Sequence, residues 1–251
     1  MTELIILYPT SRLMNTTQII NDFREFCREN ADPAIVQKYS RYFKDGYHGW
    51  GLASGLFQAR VTEILAIPGM DLSVVLSMAE TLVKSPKYEE VSAAILMTRK
   101  LDKQWTPDTF KSVERWFSLG ITNWAHTDYI CGEIMPEFFK KRLITLDSIS
   151  GWRSATNKFQ RRAAVVSLIK PMKLSEDFNP YFDFIAPLMM DPEREVHQGL
   201  GWFLRETWKK QPEPTEAFLL KFKDTSPRLI FQYACEKMTP GDKLRFRRDK
   251  A

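Results

Sequence analysis

The sequence predicts an all-α chain, arranged as a curved solenoid of antiparallel helix pairs. Three observations carry this. Apolar residues recur at the 3.6-residue period of a helix nearly everywhere past Leu13. No segment alternates polar and apolar side chains convincingly as a half-buried strand does, and Glu3 to Tyr8 comes nearest. A six-residue pattern also returns every 35 residues.

The periodicity places helices over 13–29, 34–45, 55–67, 71–84, 88–103, 107–119, 123–132, 135–144, 156–170, 178–189, 194–210, 214–223 and 227–237. Turn chemistry marks their ends at Pro68-Gly69, Ser85-Pro86, Thr106-Pro107, Asp191-Pro192 and Pro212-Glu213-Pro214. Asp71, Asp177 and Asp191 fit at or just before N-caps, where a side-chain oxygen satisfies a free backbone N–H.

The recurring windows are GLFQAR, EVSAAI, AHTDYI, QRRAAV, EVHQGL and IFQYAC, beginning at residues 55, 90, 125, 160, 195 and 230. Their fifth position is Ala59, Ala94, Tyr129, Ala164, Gly199 and Ala234, small in all but one. The sixth is Arg60, Ile95, Ile130, Val165, Leu200 and Cys235, mostly apolar. A small residue lets one helix approach its neighbour closely, and the apolar residue after it fills the seam. One further helix fits between windows, and helix pairs at roughly 35 to 45 residues mark HEAT-like arrays. In such an array one helix of each pair lines a concave face, where an extended partner lies. The array is expected to fill residues 31–240 as a single domain. Residues 1–30 would be an N-terminal segment and first helix packed on it, and 241–251 a basic tail.

Hydrophobic residues make up 44% of the chain, enough for a sizeable core. The net charge of +5 points to an anionic partner but says nothing of fold. Cys27, Cys131 and Cys235 lie far apart, which argues against a disulfide framework or zinc site and fits a reducing cytoplasm. The apolar run Leu4 to Tyr8 is too short for a signal-peptide core or a membrane span. A cytoplasmic monomer without membrane association is expected.

Numbering the residue before each window as position 0, positions 0, 4 and 8 stack on one helix face. The third window places Trp124, Asp128 and Gly132 there. The fifth places Arg194, Gln198 and Trp202, with Arg205 at position 11. The fourth places Phe159, Ala163 and Ser167, with Arg162 at position 3 beside them. Taken singly, each tryptophan reads as a core aromatic, Asp128 as an exposed helix acid and Arg162 as a solvated charge. Their joint placement on equivalent faces favours a shared surface. Cations interleaved with rings suit a sugar–phosphate chain.

At these residues the sequence resembles the AlkD-type DNA alkylation repair family. Asn123-Trp-Ala-His-Thr-Asp128 is similar to its Trp-x3-Asp motif. Phe159-Gln-Arg-Arg162-Ala-Ala matches its Arg-Ala-Ala segment, and Gly199-Leu-Gly-Trp202-Phe-Leu-Arg-Glu206 its Gly-Trp-x-Leu-Arg-Glu segment. Arg41-Tyr42-Phe-Lys44 resembles an N-terminal element that also faces DNA in the family. The likeness runs from about residue 30 to 238. Ala125 and His126 depart from the family's Trp-Trp-Asp run, which bears on substrate preference.

The resemblance implies an enzyme of base excision repair that hydrolyses the N-glycosidic bond of N3- or N7-alkylated purines in double-stranded DNA. Such a purine is already cationic and leaves readily. Asp128 would stabilise the oxocarbenium that develops on the sugar and position water. Trp124 and Trp202 would pack on the backbone around the lesion, and Arg162 would hold a phosphate. Tyr42, Arg41, Lys44, Arg161, Arg194, Gln198, Arg205 and Arg228 are the further DNA contacts expected. No cofactor or metal is called for. Of His48, His126 and His197 none forms a ligand pair at helical spacing, and His126-x-Asp128 is only a faint metal pattern. Two alternatives stand beside this: a non-catalytic binder of branched or distorted DNA on the same scaffold, and a protein-interaction solenoid.

Overall fold

The computed structural model describes residues 15–44 and 46–248, and every regular element among them is helical. The Glu3–Tyr8 tract, the start of the helix expected from residue 13 and the last three residues of the basic tail lie outside them. The chain divides into two compact units, one through Leu101 and one from Asp102 on.

The first unit contains α1 (Thr16–Glu29), α2 (Pro33–Ser40), α3 (Ser54–Leu65), α4 (Leu72–Leu82) and α5 (Tyr88–Lys100). Helix α4 packs on α5 and α1, and α5 on α3, around Phe23, Val61, Val75, Met78 and Leu82. The repeat register holds in α5, where Ala94 and Ile95 are fully buried. It fails in α3, where Ala59 is exposed and Arg60 half-buried. Arg60 pairs with Glu63 at 3.1 Å and lies over the Phe26 ring, so α3 buries Val61 and Ile64 instead. Helix α2 ends at Ser40, short of the expected residue 45. The chain then turns, reaching Gly46 at φ +93°, a conformation that favours glycine.

The second unit runs through α6 (Pro107–Leu119), α7 (Trp124–Tyr129), α8 (Met135–Lys140), α9 (Lys158–Val166), α10 (Ile169–Met172), α11 (Asn179–Ile185), α12 (Arg194–Lys210), α13 (Pro212–Phe222), α14 (Arg228–Ala234) and α15 (Pro240–Leu244). Helix α12 is its spine, packed against α9 on one side and α14 on the other. Here the register is kept: Ala164, Val165, Leu200 and Ala234 are fully buried, and Gly199 and Cys235 nearly so. A Cβ on Gly201 would stand 2.4 Å from Tyr233 Cβ and 2.8 Å from the Ile230 carbonyl oxygen, so α12 and α14 touch backbone to backbone. Asp71, Asp177 and Asp191 each accept from a backbone N–H two or three residues on, as expected.

One feature departs from expectation. The face of α9 carrying Phe159, Ala163 and Ser167 is buried, because α9 has neighbours on several sides. The basic tail is docked as far as Arg248: Phe246 is 1% exposed, its carbonyl accepts from Arg228 Nη1 at 2.8 Å, and Arg248 donates to the Ser226 carbonyl at 2.9 Å.

Candidate active site

Helix α7 begins at Asn123, whose Oδ1 accepts from the His126 N–H at 2.9 Å and whose Nδ2 meets His126 Nδ1 at 2.8 Å. Thr127 Oγ1 donates to the Asn123 carbonyl at 2.8 Å. His126 and Thr127 are buried, and this fixes the opposite face outward: Trp124 is 39% exposed and the Asp128 side chain 18%. The helix expected to break after residue 132 instead continues through a π turn, Ile130–Ile134, where the Met135 N–H reaches back to the Ile130 carbonyl. Pro136 accounts for it. Its ring excludes the carbonyl four residues back and it has no N–H to offer. The Gly132 carbonyl so released accepts from Lys170 Nζ. Ser167 Oγ donates to Cys131 Sγ at 3.2 Å and ties the turn to the end of α9. Burial pushes the Cys131 thiol up to about 12, against the Ser167 hydrogen bond, so it is no nucleophile at neutral pH.

Helix α9 is set by Asn157. Its Oδ1 caps the Phe159 N–H at 2.8 Å, and its Nδ2 donates to the Phe117 and Ile121 carbonyls at 2.7 and 2.9 Å. One turn on, Arg162 meets Asp128 with both edges of a fork: Nε to Oδ1 and Nη2 to Oδ2, each at 2.8 Å. Its Nη1 donates to the Glu195 carbonyl in the first turn of α12 at 2.7 Å. The shaft of Arg162 lies along Gly199, where a Cβ would come within 3.3 Å of its Cγ. A bidentate pair fixes orientation as well as distance, so Asp128 is held in one plane by a residue that is itself 5% exposed. Beyond it, Lys158 Nζ lies 3.0 Å from Glu195 Oε1 and 3.7 Å from Glu193 Oε2. Burial pushes the Glu195 carboxyl up, but Lys158, its own backbone N–H and Arg162 outweigh this and hold it below the usual range. Charges therefore alternate across three helices: Asp128, Arg162, Glu195, Lys158.

The structure thus brings Asp128, Arg162 and the start of α12 together beside Trp124. Trp202 is half-buried on α12, one turn past Gly199 and, at ~1.5 Å per residue, about 10 Å along the axis from Glu195. Three of the Arg162 N–H groups are committed to Asp128 and the Glu195 carbonyl, and little of the side chain is exposed. Arg161 is likewise committed, to Asp191 at 2.6 Å and to the Ala155 and Thr156 carbonyls, with its side chain 14% exposed. Arg205 pairs with Glu206 and Glu236, Gln198 donates to Tyr233 Oη, and Arg228 is spent on the Phe246 carbonyl and the Phe231 ring. These four are scaffold contacts in the structure. Arg194 is exposed at the start of α12. Arg41, Tyr42 and Lys44 are exposed in the first unit, with Arg41 4.8 Å over the Tyr42 ring and bonded to its hydroxyl at 2.9 Å. His126 turns inward to Asn123, and among the described residues no cluster of three or more His, Cys, Asp or Glu could hold a metal. Lys158 and Glu195 were missed, although Glu195 opens the fifth window.

Among the described residues no helix is long and apolar enough to cross a membrane. A search of curated proteins finds no match to the chain. The solved structure of a predicted DNA alkylation repair enzyme from Enterococcus faecalis is similar over 84% of this chain and 98% of its own, with a TM-score of 0.70 and 16% identity. At that identity the likeness is one of fold, an all-helical α–α superhelix. The profile of the DNA alkylation repair enzyme family matches residues 24–238, a span that contains Asp128, Arg162, both tryptophans and all of α12. The chain belongs to the DNA alkylation repair enzyme family.

Proposed function

We propose that the protein is a DNA glycosylase that hydrolyses the N-glycosidic bond of cationic N3- or N7-alkylated purines in duplex DNA, acting as a cytoplasmic monomer. Membership in the DNA alkylation repair family supports alkylated DNA as the substrate. The observation that supports the glycosylase reading is a carboxylate held rigidly by two hydrogen bonds, partly open to solvent, one turn from an exposed tryptophan.

The substrate base already carries positive charge, so little acid help is needed at the leaving group. As the bond lengthens, positive charge moves onto the deoxyribose. A carboxylate fixed before the reaction stabilises that charge without reorganising. Asp128 also has lone pairs beyond the two taken by Arg162, and these can orient the attacking water and receive its proton. Trp124 and Trp202 offer apolar faces to the sugar–phosphate chain, and Arg194 an exposed cation to its phosphates. Arg162 acts through Asp128, fixing its plane.

The test is release of free N7-methylguanine and N3-methyladenine from alkylated duplex. Wild type is expected to release base, and Asp128→Asn to lose at least a hundredfold in single-turnover rate while still binding DNA. A second reading, a binder of distorted DNA without catalysis, is favoured by one observation: Arg162 engages both oxygens of Asp128. Tight DNA binding by wild type with no base released would establish it in place of the first.

A further inference from the structure

Glu89 lies in the first turn of α5, in the N-terminal unit, and is 4% exposed. Its carboxylate accepts from three successive backbone N–H groups: Oε2 from Trp50 at 2.9 Å, and Oε1 from Gly51 at 2.8 Å and Leu52 at 3.4 Å. Gly51 sits at φ +83°, and a Cβ there would stand 2.3 Å from the Asp32 carbonyl oxygen and 3.0 Å from Val36 Cγ2, both inside ordinary contact. The Asp32 N–H donates to the Trp50 carbonyl at 3.0 Å, and the Asp32 side chain caps α2 through the Ala34 N–H at 2.8 Å. The same stretch is tied to α5 once more, by the Tyr88 N–H donating to the His48 carbonyl at 3.0 Å.

Helix α2 buries none of its residues. A helix with no buried residue is not oriented by a packed core: this polar lock holds the N-terminal end of α2, and its C-terminal end rests through Tyr39, with Phe43 just beyond, on Tyr47, which leads into the locked 50–52 stretch, and on Tyr88, which precedes Glu89. The chain from Glu89 is continuous: carboxylate, the 50–52 backbone, the Asp32 cap, then α2. At the other end of α2 stand Arg41, Tyr42 and Lys44, all exposed.

We propose that Glu89 is a positioning residue for DNA binding: it fixes α2 and so presents Arg41, Tyr42 and Lys44 to the phosphate backbone. This rests on the reading of those three as DNA contacts. Loss of the lock frees the N-terminal end of α2 and loosens the 46–52 stretch on which Tyr39 and Phe43 rest, so the cations no longer arrive together at fixed spacing.

The experiment is the salt dependence of duplex binding by the full-length chain. Each phosphate contact contributes a slope of about 0.9 in log K against log salt. Arg41→Ala combined with Lys44→Ala is expected to lower the slope by about 2. Glu89→Gln, which gives up charge and one acceptor oxygen, is expected to lower it by about 1 to 2, with helix content by circular dichroism kept. Gly51→Ala strikes the same lock from the loop side, should give the same loss of slope, and decides the matter where Glu89→Gln does not fold. A merely structural Glu89 would lower the melting temperature and leave the slope alone. If the double variant loses slope while Glu89→Gln and Gly51→Ala keep the wild-type value, the positioning role is overturned. If the double variant itself keeps the wild-type slope, the DNA-facing reading of Arg41 and Lys44 has failed, and the proposal with it.

Discussion

Gly199 and Gly201 lie two residues apart on α12, and replacing each with alanine should separate catalysis from stability. Alanine in a helix interior gains about 1 kcal/mol over glycine in intrinsic preference. At Gly201 the new Cβ would stand 2.4 Å from Tyr233 Cβ and 2.8 Å from a backbone oxygen. Carbon atoms in contact sit about 3.5 to 4.0 Å apart, so α14 must retreat by about 1 Å. Overpacking of that kind costs about 3 kcal/mol at the upper end, which leaves Gly201→Ala about 2 kcal/mol less stable. At Gly199 the nearest atoms are Val166 Cγ2 at 3.2 Å and Arg162 Cγ at 3.3 Å. The shortfall is a few tenths of an ångström and the neighbours are side chains, so crowding of about 1 kcal/mol cancels the helix gain. Stability is then nearly unchanged. Arg162, however, is gripped at its far end by Asp128 and the Glu195 carbonyl. Pressing on its Cγ tilts the fork and turns the carboxylate. A displacement of about 1 Å can cost a hundredfold in rate, so a few tenths should cost about three- to tenfold. Urea denaturation and single-turnover base release measure the two effects. If Gly199→Ala loses more stability than Gly201→Ala, or if it keeps full activity, the account of how α12 seats Arg162 is wrong.

Other outcomes follow from the same geometry. Arg162→Met leaves Asp128 without its partner and should cost about 3 kcal/mol in urea unfolding, the lower end for a broken buried pair since Asp128 is partly solvated. Arg162→Lys should not restore base release, because an ammonium cannot grip both oxygens at once. Trp124→Ala, at a 39% exposed position, should change stability little yet weaken DNA binding by about 1 to 3 kcal/mol in a fluorescence titration. Burial raises the Glu206 carboxyl, but Lys209 at 2.9 Å and Lys173 at 3.4 Å outweigh it and hold it below the usual range. Its stabilisation is therefore present above the unfolded carboxylate value and lost as pH falls through the lower folded value. Glu206→Gln should cost about 1 kcal/mol at pH 7, and thermal melts should show the difference from wild type closing below about pH 4.

The helical periods and caps were legible in the sequence because they are local. Asp71, Asp177 and Asp191 accept from backbone N–H groups where the turn chemistry placed them, and Ala164, Gly199 and Ala234 repeat because α9, α12 and α14 meet at the same seam. The pairing of Trp124 with Asp128 was legible for the same reason, being one turn of one helix. What escaped was long-range pairing. Nothing near Arg161 announces Asp191, and nothing near Arg205 announces Glu236, so both arginines looked free for phosphate. The break expected between residues 132 and 135 was a π turn, because Pro136 admits two solutions and only the packing of Cys131 on Ser167 selects one. The first window failed at Arg60, whose charge forbids the seam that Ile95 and Val165 fill.

Arg162 touches residues 34 positions before it and 33 after it, close to the spacing at which the windows recur. Copying one helix pair and stacking the copies is therefore enough to bring such positions side by side, before any of them has chemistry to perform. A chain grown by duplication inherits a ready-made junction at every step. Acquiring an acid, a fork and a ring at one such junction takes a few substitutions on a scaffold whose geometry is already given.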